Sequence, residues 1–231
     1  MATSIQQISI TQVGGVFHGI VGTFLIVGAS LLIALPIGIL AGVFLSEYPS
    51  TQLSTFIRFS TDVLSAAPSI IVGVTAYVLV VQRTKEFSGL AGSVALSVLM
   101  VPVITRTTEE MLKLVPTTVR EAAFGLGSPK WWLTLTVVIP AAMSGIVTGA
   151  LLAFARAAGE TAPLLLTILG KNQVTWNLLE PMAALPLITY KYTENPSPIQ
   201  NDLAWTSALV LTMLVLLVNI MARWVTRKRT R

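Results

Sequence analysis

Two Arg–Glu pairs stand where the chain is otherwise apolar. Arg106 and Glu109 close the run Leu90–Ile104, and Arg156 and Glu160 close the run Leu135–Ala155. The spacings are i,i+3 and i,i+4, so each carboxylate shares a helical face with its arginine. A guanidinium at the centre of a membrane helix costs roughly 2.5–3.5 kcal/mol on insertion scales, and it is retained where it faces a bundle interior or a water-filled path. Two kinds of chemistry fit these pairs. One is a structural ion pair at a helix–helix contact. The other is a fixed positive charge for an anion crossing the bilayer, with the glutamate neutralising the arginine between passages.

The elements around these residues are membrane helices. The chain is 54% hydrophobic and 11% charged, and its apolar residues come in blocks rather than stripes. About 20 residues span the hydrocarbon. Five blocks reach or approach that length: Ile20–Leu45, Val63–Val81, Leu90–Ile104 (complete only if it runs on through Thr105 and Arg106), Leu135–Ala155 and Leu203–Ala222. The expectation is one all-α polytopic bundle over residues 1–231, with spans near 20–45, 63–81, 90–109, 135–160 and 203–224. An inside loop over 113–134 and an outside loop over 171–202 complete it. The alternating ten-residue segments of a β-barrel are absent.

Charge sets the orientation. Arg223, Arg227, Lys228, Arg229 and Arg231 crowd behind the last block, which the positive-inside rule places in the cytoplasm. Counting back, Arg58, Lys113, Arg120 and Lys130 also fall inside, whereas Arg83, Lys85, Lys171 and Lys191 fall outside. Nine cations against four agree with that assignment. The net charge of +5 thus belongs to topology and not to a nucleic-acid partner. The stretch Met1–Phe17 carries no Lys or Arg to guide its export.

Other details concern packing. Gly38 and Gly42 in the first block, and Gly145 and Gly149 in the fourth, have the GxxxG spacing that lets helices approach closely, with a gating hinge as the alternative reading. Pro36 removes a backbone donor and should kink the first helix. Asp62 reads as an N-terminal cap for the second helix. Trp176, Tyr190 and Tyr192 in the outside loop suit either an interfacial aromatic belt or a docking surface.

The inside loop is unusually ordered. Pro116 suits a first helical turn, Glu121-Ala122-Ala123 favours helix, and Gly127 can end it in a left-handed conformation. Ser128 and Pro129 then open a second short helix. The product is a rigid helical knob on the inner side, suited to receive force from a partner.

Enzymatic readings fail. The single histidine, His18, has no nearby carboxylate and no Asp lies inside a block, so an intramembrane hydrolase lacks its base or dyad. Gly170-Lys171 is followed by Asn172, with Leu165 where a P-loop needs its first glycine. There is no cysteine for thiol-based metal sites. Neither a metal nor a bound cofactor is expected, and ATP is expected on another chain.

Glu121-Ala122-Ala123, then Gly127, then Val137, Ile139 and Pro140, resembles the EAA loop of ABC importer permeases (E-A-A, three residues, G, nine residues, I-x-L-P). The runs Thr105–Pro116, Ala155–Leu165 and Leu64–Gly73 and the Phe87-Ser88-Gly89 turn are similar to the A-type permease of bacterial phosphate importers. The resemblance covers the chain from about Gly22 onward. It implies a type I ABC importer core, with Glu121, Ala122, Ala123 and Gly127 docking on an ATPase. It also implies that Arg106, Glu109, Arg156 and Glu160 line or gate a phosphate route. The implied partners are a second permease, two ATP-binding subunits and a soluble phosphate-binding protein, in a bacterial inner membrane with the C-terminus inside. The family pattern has one more helix upstream of the first block. Molybdate and sulfate stay open as substrates, since an arginine fork accepts several tetrahedral anions. A passive anion channel has no use for the knob.

Hydropathy places Arg106 near the inner surface. Pro140 to Arg156 spans roughly 24 Å of helix, which places Arg156 between the midplane and the outer leaflet. The two arginines therefore read as successive stations.

Overall fold

The computed structural model describes residues 15–227, and side chains as far as Met221. The uncharged stretch Met1–Phe17 (save its last three residues) and the side chains of the tail cations lie outside the described residues.

The described chain is helical, with one isolated bridge between Leu169 and Met182. The helices are α1 (Phe17–Glu47), α2 (Gln52–Ala66), α3 (Ser69–Ala76), α4 (Gln82–Thr84), α5 (Gly89–Lys113), α6 (Thr117–Gly125), α7 (Lys130–Leu133), α8 (Ile139–Ala158), α9 (Ala162–Thr167), α10 (Leu185–Thr193) and α11 (Pro198–Arg227). Wider π-helical turns at Tyr77–Val81 and Thr134–Val138 join α3 to α4 and α7 to α8. The second precedes Pro140, which lacks the N–H for a carbonyl four residues back and crowds it.

Among the described residues four helices are long and apolar enough to cross a bilayer, and α2 with the helix from Ser69 to Thr84 passes the same test only as a bent pair. α1, α5, the α7–α8 helix and α11 match expected spans. α1 runs unbroken through Pro36. The third span does run on past Arg106, to Lys113.

The second span departs from expectation. It is two helices meeting at 103°. Ala67 is extended (φ −65°, ψ 131°) because the ring of Pro68 disfavours the helical region for the residue before it. α2 also begins well before Val63, at Gln52, with the Thr51 hydroxyl accepting from the Ser54 N–H at 3.1 Å. Asp62 is therefore no cap: it lies on the last turns of α2, and what it does there is described below.

α5 is the central helix. A Cβ on Gly38 would lie 2.7 Å from Ile104, and one on Gly42 would lie 2.6 Å from Thr108. On another face, a Cβ on Gly145 would collide with Met111, and one on Gly149 would lie 2.6 Å from Thr107. Both GxxxG pairs thus seat their helices against α5, which is tight packing and accounts for the glycines. Ile26, Leu96, Met100, Ile104, Leu164 and Ile168 are fully buried in the core between these helices.

The expected outside loop is only partly a surface. Met182–Leu185 turns inward and is buried, and the Leu185 N–H donates to the Thr23 hydroxyl of α1 at 2.9 Å. Gly22 has no room for a side chain against the Ala183 carbonyl. Trp176 remains 71% exposed.

Candidate functional site

α2 and α5 run antiparallel along a seam that carries most of the membrane charge. Arg58 and Asp62 are one helical repeat apart on α2, and Arg106 and Glu109 are three apart on α5. They pair crosswise. Arg58 Nη2 lies 2.6 Å from Glu109 Oε1, and Arg106 donates to Asp62 Oδ1. Lys113 Nζ lies 2.6 Å from the same Glu109 oxygen. The expected pairing of Arg106 with Glu109 is therefore not what holds either residue. Arg106 finds its partner on α2, and Glu109 pairs with Arg58 of α2 and with Lys113 one turn along α5.

The two pairs differ in setting. Glu109 is buried, its side chain 8% exposed, and two cations compensate it. A buried carboxylate needs such compensation. Arg106 and Asp62 are more than half exposed, where an ion pair contributes little. Together with Leu45, Thr61 and Glu110 these groups line a cavity of about 200 Å³. Three cations face three carboxylates in it, so it has no net charge of its own.

Arg156 stands one step along the same seam. It and Glu160 line a second cavity, of about 120 Å³, with Leu64, Ser65, Ala67, Ser69, Leu99, Pro102 and Val103. The break at Pro68 opens this cavity, since the 103° bend carries α3 away from the line of α2. Pro102 is four residues from Arg106, or about 6 Å along α5. Arg106 and Arg156 thus line neighbouring cavities along α5. The expected bond from Arg156 to Glu160 is absent: among the described residues Arg156 makes neither a hydrogen bond nor an ion pair with any side chain. Gly159 ends α8, and the chain turns before α9, so Glu160 is no longer on the helical face that its spacing predicted.

The knob has the expected form. α6 spans Thr117–Gly125, Gly127 is left-handed at φ +81°, and α7 follows. No hydrogen bond caps α7 from a side chain, so Ser128 does not act as read. Glu121, Ala122 and Gly127 are exposed, whereas Ala123 is partly buried against the apolar cluster that includes Leu112, Val115 and Leu133. Glu121 enters no ion pair among the described residues, which leaves its carboxylate open to another chain.

The comparisons bear on what this arrangement belongs to. The profile of the binding-protein-dependent transport system inner membrane component family matches residues 34–231. The chain belongs to that family. It is a multi-pass component of a membrane transport system. It is 46% identical over 211 residues to the phosphate transport system permease protein PstA of Haemophilus influenzae, covering 91% of this chain and 75% of that one. It is 38% identical over 223 residues to PstA 1 of Mycobacterium tuberculosis, covering 94% and 72%. The fold is that of the inward-facing methionine ABC transporter MetNI, with a TM-score of 0.73 at 22% identity over 94% of this chain and 95% of that one. An alginate-importing ABC transporter chain gives 0.66 at 13% identity over 93% and 80%.

Sequence reasoning missed Arg58, Asp62, Lys113 and Glu47 as members of the charged framework of this family member. A signal existed for the first two. Arg58-x3-Asp62 and Arg106-x2-Glu109 carry their charges in the same order, and antiparallel packing of two such helices brings unlike charges together.

Proposed function

We propose that this chain is the channel-forming permease subunit of a phosphate importer driven by ATP hydrolysis on separate subunits. The observation that carries the reading is Arg156: an exposed guanidinium with no side-chain partner among the described residues, on a cavity bordered by α2, α5 and the end of α8, in a chain whose relatives are named phosphate permeases. A planar fork of donors matches two oxygens of a tetrahedral anion. Glu160 on the same cavity keeps the site from holding the anion too tightly, and passage requires binding that permits exit. Arg106 forms the next station, where an arriving anion competes with Asp62 for the guanidinium.

The exposed knob supports active transport over a passive channel. Glu121, Ala122, Ala123 and Gly127 would dock on an ATP-binding subunit, two of which would serve this chain and a second permease. A soluble phosphate-binding protein would deliver the anion outside. On this reading the chain binds no cofactor itself, its tail is cytoplasmic, and residues 1–231 act as a single permease domain.

Radiolabelled phosphate uptake by the reconstituted complex, with molybdate and sulfate as competitors, tests substrate and mechanism together. Uptake that requires ATP and resists both competitors is expected. Preferential inhibition by molybdate or sulfate would move the substrate to that oxyanion, and uptake without ATP would make the chain a passive channel.

A further inference from the structure

Glu47 closes α1, and its side chain is 5% exposed. Its Oε1 accepts from Arg120 Nη1 at 2.6 Å. Its backbone oxygen accepts from Lys130 Nζ at 2.6 Å, and the same Nζ is 3.9 Å from Oε2. Arg120 belongs to α6 and Lys130 to α7, so one residue ties both arms of the knob, on either side of the Gly127 turn. Lys130 also stands 4.2 Å from the ring centroid of Tyr48, next along the chain.

This carboxylate draws both of its cations from the knob. A buried charge that loses its partners is strongly unfavourable. If the knob moves, the end of α1 must move with it or lose that compensation. α1 is in turn interlocked with α5, for Gly42 sits against Thr108 and the Thr105 carbonyl, and Gly38 against Ile104. Those residues flank Arg106 and Glu109 on the charged seam. A contiguous packed path therefore runs from the knob through Glu47 and α1 to the first cavity.

We infer that Glu47 is a positioning residue that carries displacement of the knob into α1, and through α1 to the charged seam. It is separate from Glu121, whose exposed carboxylate is available to the partner. The inference rests on the reading of the chain as an ATP-driven phosphate permease.

The test is phosphate taken up per ATP hydrolysed, in the full reconstituted complex, for wild type, Glu47→Gln, Arg120→Gln and Arg120→Lys. Coupling between sites usually amounts to 5-fold or more. Glu47→Gln and Arg120→Gln should assemble and hydrolyse ATP, with the ratio down about 5-fold or more. Arg120→Lys, which keeps the charge, should recover most of it. Arg120 also donates to the Leu112 carbonyl of α5 at 2.9 Å; if Glu47→Gln fails to assemble, the contrast between Arg120→Gln and Arg120→Lys decides, because only the first removes the charge that faces Glu47. A ratio unchanged in Arg120→Gln, beside a wild type that takes up phosphate, overturns the role of Glu47 alone. A wild type that takes up no phosphate removes the functional reading beneath it.

Discussion

Arg106 and Arg156 lie on neighbouring cavities of one helical seam, yet the fold treats them differently. Arg106 donates to Asp62 from the next helix, in a cavity where three cations meet three carboxylates. Arg156 has no such partner among the described residues and shares its smaller cavity with Glu160. The difference comes from the break at Pro68. α2 runs beside α5 and supplies Arg58 and Asp62 to the first cavity; its last turn and the chain that turns by 103° after it supply only Leu64, Ser65, Ala67 and Ser69, none of them charged, to the second. Arg106 is thus part of a clasp between helices, whereas no carboxylate among the described residues pairs with Arg156.

Removing Arg156 should give the largest effect. A bidentate charged pair with an anion is worth about 3 kcal/mol, so Arg156→Ala should lower phosphate uptake on the order of 100-fold. Assembly and thermal stability should be unchanged, because no side chain among the described residues loses a partner. Normal uptake in vesicles would end the contrast between the stations.

Glu109→Gln should come next, and it should act on stability as well. Arg58 and Lys113 lose the carboxylate they share, at a cost of roughly 1–3 kcal/mol for a broken buried network. The melting temperature of the purified complex should fall together with uptake. A variant that loses uptake at full stability would show that Glu109 serves the anion and not the clasp.

Asp62→Asn should be milder. Its pair with Arg106 is more than half exposed, which limits its worth to about 1 kcal/mol. Stability should hold, while the uptake rate falls a few-fold, because an arginine without a competing carboxylate releases the anion slowly. An unchanged rate in a rapid uptake assay would mean that Asp62 does not compete.

The smallest effect is a reference from the loop between α9 and α10. Hydrogen bonds from Lys171, Asn177 and Thr175 hold the Glu180 carboxyl below its ordinary value of 4.5. A depressed folded value means that the stabilisation is present above pH 4.5 and is lost as pH falls through the folded value. Because Glu180 is exposed, only local loosening of the loop is expected, measurable by limited proteolysis at acid and neutral pH. Global unfolding over that window would assign the loop a larger share in stability than its ion pair suggests.

Spans, knob and charged candidates were readable from the chain because each rests on local rules. Apolar length marks a membrane helix, and left-handed Gly127 ends one whatever surrounds it. The break at Pro68 was equally local, and the apolar run across it hid the signal. Partner choice was not local. Spacing put Glu109 beside Arg106 and Glu160 beside Arg156, but both predictions assumed that an uninterrupted single helix supplies the nearest carboxylate. α2 supplied a nearer one to Arg106, and the end of α8 at Gly159 turned Glu160 away from Arg156. Glu47 gave no signal, since nothing in an ordinary polar turn foretells burial beneath a distant loop.

By itself, then, the sequence determined that the chain crosses a membrane several times, that it presents a helical knob on one side, and which few charges the bilayer must accommodate. These follow from hydration energies and backbone geometry that act residue by residue. The tertiary structure decided which charges are compensated and which stand open. Compensation depends on distances between helices far apart in the chain, and only their packing around α5 sets those distances.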